Sequence, residues 1–168
     1  MILLHNIGDK KHPNYNSVKE ILNSDGPLSF DGVYRNVFQN LNSLWELAGR
    51  RIILFVMGDY VGRNNSFDTG MPFELFCDWN EIVQICTEVG AQLGWHTWSH
   101  RDLTTLTDEE IKEELRPPFP MDYFAYPYGN FDERVKALVK EAGFKEAWSV
   151  TQGDGTPLAQ KRNYLCTK

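Results

Sequence analysis

The run Arg51-Ile52-Ile53-Leu54-Phe55-Val56-Met57 constrains the fold of this chain more than any other stretch. It carries no two-residue alternation of apolar and polar side chains. It therefore reads as a strand buried on both faces, the pattern of a parallel sheet covered by helices. The rest of the chain supplies those helices. Ile2 to Ile7 is a short apolar run closed by Gly8-Asp9, and Ser17 caps a short helix through Val18, Ile21 and Leu22. Leu28 to Gly32 is a second strand ending on an acid. Tyr34 to Ala48 places Val37, Phe38, Leu41, Leu44, Trp45 and Ala48 at helical spacing, with Gly49 as the stop. Asp78 caps a helix through Val89, and a strand leads from there to His96. Thr107-Asp108-Glu109-Glu110 is a capping box for a helix that Arg116-Pro117-Pro118 ends. Tyr123 to Tyr126 is a strand, Asp132 caps a helix stopped by Gly143, Phe144 to Val150 is the last clear strand, and a Gly/Pro/Thr-bearing tail follows.

Strands alternate with helix-length connections throughout. That order predicts an α/β fold with mostly parallel strands, open or closed into a barrel, as a single domain over residues 1–168. Gly58 to Phe76 is a long polar excursion of the kind that carries function. The polar residues with chemistry fall at strand ends: Asp31, His96, His100 and Tyr128. In parallel α/β folds the C-terminal strand ends are where active sites are built.

The net charge of −6 and the lack of a basic run exclude a phosphate-binding signature, so nucleic acid is not an expected partner. Nothing approaches eighteen consecutive apolar residues, and no transmembrane segment is expected. The N-terminus has no basic n-region and too short an apolar run for a signal peptide, which makes a cytoplasmic location the default. Cys77, Cys86 and Cys166 are odd in number and form no CxxC, which leaves reduced thiols as the expected state. Oligomeric state is not readable.

Gln92-Leu93-Gly94-Trp95-His96-Thr97-Trp98-Ser99-His100 holds two histidines four residues apart, directly after a strand. On one helical turn those positions face the same way, so the two imidazoles can converge on a zinc-like metal. The spacing alone is equally that of two surface histidines beside a strand, with Trp95 and Trp98 as core.

Three segments together resemble the polysaccharide deacetylase (NodB-homology) family of carbohydrate esterases. Leu28-Ser29-Phe30-Asp31-Gly32-Val33-Tyr34-Arg35 is similar to that family's Thr/Ser-Phe-Asp-Asp-Gly strand end. Gly94 to His100 is similar to its metal-binding His-Ser/Thr-x-x-His pair, and Phe124 to Asn130 to its Pro-Tyr-Gly segment. The resemblance implies a distorted or incomplete (β/α) barrel, a divalent metal, most plainly zinc, and hydrolysis of an acetyl group on a carbohydrate. It implies Asp31 as the catalytic base, His96 and His100 as metal ligands, and Tyr128 as the residue whose backbone N–H steadies the oxyanion. The family's metal-binding aspartate falls on Gly32, the arginine that pairs with the base falls on Ala125, and its late Leu-x-His histidine has no counterpart after His100. Asp59 and His5 are the remaining strand-end candidates for a base, and Trp98 is a candidate for stacking on a sugar. The alternative is a catalytically degenerate relative that binds a glycan or retains only the fold.

Overall fold

The computed structural model describes residues 1–7, 15–47, 49–68, 70 and 72–165. The strands are β1 (Ile2–Leu4), β2 (Asn6–Ile7), β3 (Tyr15–Asn16), β4 (Leu28–Asp31), β5 (Ile52–Val56), β6 (Gln92–Trp95), β7 (Tyr123–Ala125), β8 (Glu146–Ser149), β9 (Gln160–Lys161) and β10 (Asn163–Tyr164). Eight of them form one all-parallel sheet in the order β10-β1-β4-β5-β6-β7-β8-β9, and β2 pairs β3 in a small parallel sheet of its own. The edge strands β9 and β10 are consecutive in the chain, separated by Arg162 alone. A single bent segment thus bonds β8 on one side and β1 on the other, and brings the sheet nearly to a closed barrel. Arg162 N–H donates to Ser149 O at 2.9 Å and Asn163 N–H to Met1 O at 3.1 Å, either side of the bend.

Helices α1 (Val18–Leu22), α2 (Arg35–Gln39), α3 (Leu41–Leu44) and α4 (Trp79–Val89) bury Ile21, Val37, Leu44, Ile82, Ile85 and Val89 against Leu4, Leu28, Phe30, Ile52, Leu54 and Val56. On the other side α5 (Asp108–Glu114) and α6 (Glu133–Glu141) bury Ile111, Val135, Leu138 and Val139 against Trp95, Phe124 and Ala147. The alternate residues Ile53, Phe55, Ala125 and Trp148 pack inside the barrel. Gly94 makes room there: a Cβ on it would stand 2.5 Å from Phe55 Cε1. Every residue of β5 is buried, as its unbroken apolar run requires.

The helix ends follow the sequence. Ser17 with Glu20, Asp78 with Glu81 and Thr107 with Glu110 are complete capping boxes, and Asp132 caps α6 by accepting from Val135 N–H. Two expectations change. The single helix over Tyr34–Ala48 is α2, α3 and a 3-10 turn, Trp45–Leu47, in succession. At the first break Asn40 Nδ2 donates to Asn36 O at 2.8 Å, a side chain competing for a helical carbonyl. Trp45, counted above on the apolar face, is 56% exposed. The tail after Val150 is not merely a tail, because it carries the two short strands that close the barrel. Cys77 is buried and Cys86 half-buried, both free thiols, while Gly8-Asp9, Ala48 and Cys166 lie outside the described residues.

Candidate functional site

The C-terminal strand ends meet around a cavity of about 60 Å³ lined by His5, Asp31, Gly32, Tyr34, Met57, Phe67, Asp68, His96 and His100. The space admits water-sized groups, and a sugar ring would have to lie across the mouth. The non-glycine residues with positive φ among the described residues are Val33 (53°), Thr97 (70°), His100 (58°) and Tyr128 (57°). All four stand at this end of the sheet. Each such conformation costs on the order of 1–3 kcal/mol, and strain of that kind concentrates at functional sites.

Asp31 closes β4 pointing into the barrel, two residues on from Ser29 and on the same face. Arg162 grips it from the bend between β9 and β10, with Nη1 2.6 Å from Oδ1 and Nη2 2.5 Å from Oδ2. The same Nη1 donates to Ser29 Oγ at 3.0 Å, and the guanidinium lies over the Phe55 ring, 5.0 Å from its centroid. Burial by itself would raise the Asp31 pKa; the Arg162 charge and hydrogen bonds, together with the neighbouring His96 and His5, outweigh it and hold the carboxyl down at about 2. Asp31 is therefore an anion at any physiological pH, and it does not cap the following helix. The arginine whose place falls on Ala125 has a counterpart here all the same: Arg162, from the far end of the chain, pairs with Asp31.

His96 ends β6. Its Nδ1 is 2.7 Å from the carbonyl oxygen of Ala125, which only accepts, so Nδ1 carries the proton and Nε2 presents a lone pair. That lone pair faces Asp31 Oδ2 at 3.4 Å. Burial lowers the His96 pKa, so the ring is neutral and two acceptors face each other. His100 lies 4.8 Å from His96 between ring centroids; burial pushes its pKa down to about 3, and its buried Nδ1 has no hydrogen-bond partner among the described residues. The segment joining the pair is not a helical turn, in contrast to the expectation. Thr97 and His100 both take left-handed backbone, and Thr97 Oγ1 accepts His100 N–H at 3.0 Å. The rings converge all the same.

Glu114 holds that turn in place. From the end of α5 its Oε2 accepts the N–H groups of Trp98 at 2.8 Å and Ser99 at 3.0 Å, and its Oε1 accepts the Ser99 hydroxyl. Trp98 is structural rather than part of the cavity: it meets Trp95 edge-on at 5.1 Å and donates Nε1–H to Arg116 O at 2.9 Å. Tyr128, 56% exposed, sets its ring 4.7 Å from His100 at the rim. Asp59 is exposed on a 3-10 turn after β5 and does not line the cavity.

His5 follows β1, whose Leu4 pairs Phe30, so His5 stands beside Asp31 on the neighbouring strand. Burial drives its pKa down to about 4, against the pull of Asp31. The segment Leu3-Leu4-His5 has the Leu-x-His wording sought above only after His100. That wording was the available signal, at the opposite end of the chain from where it was sought. Because β1 lies between β10 and β4, an N-terminal strand sits next to the chain's last strand in the barrel.

A sequence model described as polysaccharide deacetylase matches residues 27–147. The chain belongs to the polysaccharide deacetylase family. It is 34% identical over 96 residues to a chitin deacetylase 3 of Cryptococcus neoformans, a stretch covering 49% of this chain and 23% of that protein. It is 38% identical over 73 residues to chitin deacetylase 1 of Saccharomyces cerevisiae, covering 38% of this chain and 24% of the relative. The chain thus spans about a quarter of the length of these relatives. Its fold is that of a polysaccharide deacetylase from Bacillus cereus, with a TM-score of 0.76 at 18% identity over 98% of this chain and 63% of the other. A de-N-acetylase from Aggregatibacter actinomycetemcomitans superposes with a TM-score of 0.71 at 10% identity, over 98% and 93%. His5 and Arg162, the two flanking partners of Asp31, both lie outside the matched deacetylase segment.

Proposed function

We propose that this polysaccharide deacetylase-family chain hydrolyses an acetyl group from a carbohydrate, an acetamide first and an ester second, with a divalent metal of the zinc type. The observation that carries the reading is the facing of His96 Nε2 and Asp31 Oδ2 at 3.4 Å beside the orphaned Nδ1 of His100. Asp31 already has its cation in Arg162, but the two neutral imidazoles beside the small cavity offer unpaired nitrogen acceptors, and that donor chemistry suits zinc. His96 and His100 would hold the ion. When bound, such an ion polarises an acetyl carbonyl and lowers the pKa of water.

The chain's own groups supply the proton chemistry. Asp31, fixed by Arg162, orients the attacking water and accepts its proton. Protonated Asp31 passes that proton to neutral His5 beside it, and the imidazolium so formed gives it to the departing nitrogen, so the proton lost by water ends on the amine and Asp31 and His5 return to their starting states. The backbone N–H of Tyr128 steadies the oxyanion, and the Tyr128 ring at the rim offers a face to the sugar across the mouth. Acetate release from acetylated chito-oligosaccharides tests the reading. The metal-stripped chain should be inert and the zinc-reloaded chain active. Equal absence of release in both supports the degenerate relative instead.

A further inference from the structure

The carboxylate missing at Gly32 has no room there. Gly32 sits at φ +81°, and a Cβ on it would stand 2.8 Å from Phe76 Cε1 and 3.2 Å from Met57 Cε. The Phe76 ring fills that volume, and Phe76 ends the long excursion that begins at Gly58. It stacks on Tyr34 at 4.4 Å and on Phe67 at 6.3 Å, and Phe67 packs on Tyr60 at 4.2 Å and on the His100 imidazole at 5.8 Å. The excursion is tied from within as well. Buried Asn65 donates Nδ2–H to Pro72 O at 2.8 Å and accepts Glu74 N–H at 2.9 Å, and Asp68 N–H donates to Asn65 O at 2.9 Å.

The residue after Phe67 is Asp68, and it lines the same cavity as His5, Asp31, His96 and His100. Its Oδ1 accepts Gly70 N–H at 3.2 Å; among the described residues no donor is recorded on Oδ2. Its charge is felt across the cavity, where it favours the protonated form of His5. The other carboxylate lining the cavity, Asp31, has both oxygens taken by Arg162.

We infer that Asp68 is the carboxylate ligand of this centre, brought from the 58–76 loop to complete a two-histidine, one-carboxylate site with His96 and His100. The inference rests on the metal-dependent reading above. Among the described residues no three His, Cys, Asp or Glu side chains stand close enough to hold a metal together, so the assignment requires Asp68 to approach the His96–His100 pair from its place on the cavity wall. Its neighbour Phe67 already packs on the His100 ring, at 5.8 Å.

The test is titration of zinc alone into the metal-stripped chain against a chelating dye. The comparison takes wild type, Asp68→Asn, Asp59→Asn and the His96→Ala/His100→Ala double variant, with the zinc-induced rise in Tm as a second readout. Wild type and Asp59→Asn are expected to bind one equivalent alike. Asp68→Asn should bind at least tenfold more weakly and lose most of the Tm rise, and the double variant should bind none. Asp68→Asn binding within twofold of wild type, while the double variant still loses the ion, overturns the assignment and leaves the metal reading standing. No zinc bound by wild type overturns both.

Discussion

Arg162 and Asp31, 131 residues apart in sequence, form a bidentate ion pair inside the barrel in which both partners are buried. The pair fastens the segment that closes the sheet to the strand that carries the carboxylate of the proposed centre. Barrel closure and the proposed chemistry therefore share one contact.

Removing one partner of that pair leaves an uncompensated buried charge. Arg162→Ala is expected to cost about 3–5 kcal/mol of unfolding free energy. Arg162→Ala/Asp31→Asn, which removes both charges, should recover part of that loss. Urea unfolding of the three proteins checks it; a double variant no more stable than Arg162→Ala would assign the loss to packing over Phe55 instead.

Three imidazoles held neutral around the cavity, His96 buried and His5 and His100 partly so, are expected to make the fold acid-labile. The folded pKa of His5 is about 4 and that of His100 about 3, both below the ordinary 6.5, and His96 is lowered too. Lowered folded values mean that the unfolded chain binds more protons. Stability is thus whole above pH 6.5 and falls as pH drops from 6.5 toward 4, by up to roughly 1.4 kcal/mol per pH unit for each ring. Asp31 acts lower down, its contribution present above the unfolded value of 3.8 and lost as pH falls toward about 2. Unfolding of the metal-stripped protein across pH 4–8 should show this slope, and His5→Gln should flatten it. A flat profile would mean that the rings are solvated or already charged.

Restoring the family's aspartate at Gly32 should harm rather than help. The left-handed backbone alone costs a non-glycine residue about 1–3 kcal/mol, and the Phe76 contact adds to it. Gly32→Asp and Gly32→Ala are both expected to lower the thermal midpoint without tightening zinc binding. Tighter binding in Gly32→Asp would show that Phe76 yields.

Much of the barrel was legible because its signals are local. The unbroken run of β5, the capping pairs at Ser17, Asp78 and Thr107, and the glycines after the helices each act within a few residues. The convergence of Asp31 and the histidine pair was legible too, since parallel strands deliver their C-terminal ends to one place. Arg162 was not. It sits between two strands of two residues each, too short to carry a period, and its role exists only through contacts with Ser29 and Asp31. His5 was legible only as one of two strand-end candidates for a base, because nothing in the chain order says that β1 lies between β10 and β4 and sets His5 beside Asp31. Gly32 read as a lost ligand, and only the structure shows the left-handed backbone and the Phe76 and Met57 contacts that leave a side chain no room there.

The most direct measurement is acetate release by wild type and His5→Gln from two substrates: an N-acetylated chito-oligosaccharide and an aryl acetate, whose leaving group departs without a proton. Wild type, loaded with zinc, is expected to release acetate from both. His5→Gln should slow the amide by on the order of 10²–10⁴-fold and the aryl ester by less than tenfold. A wild type inert on both substrates, or a His5→Gln variant that slows both equally or neither, would contradict a deacetylase centre whose proton donor is His5, just past the first strand.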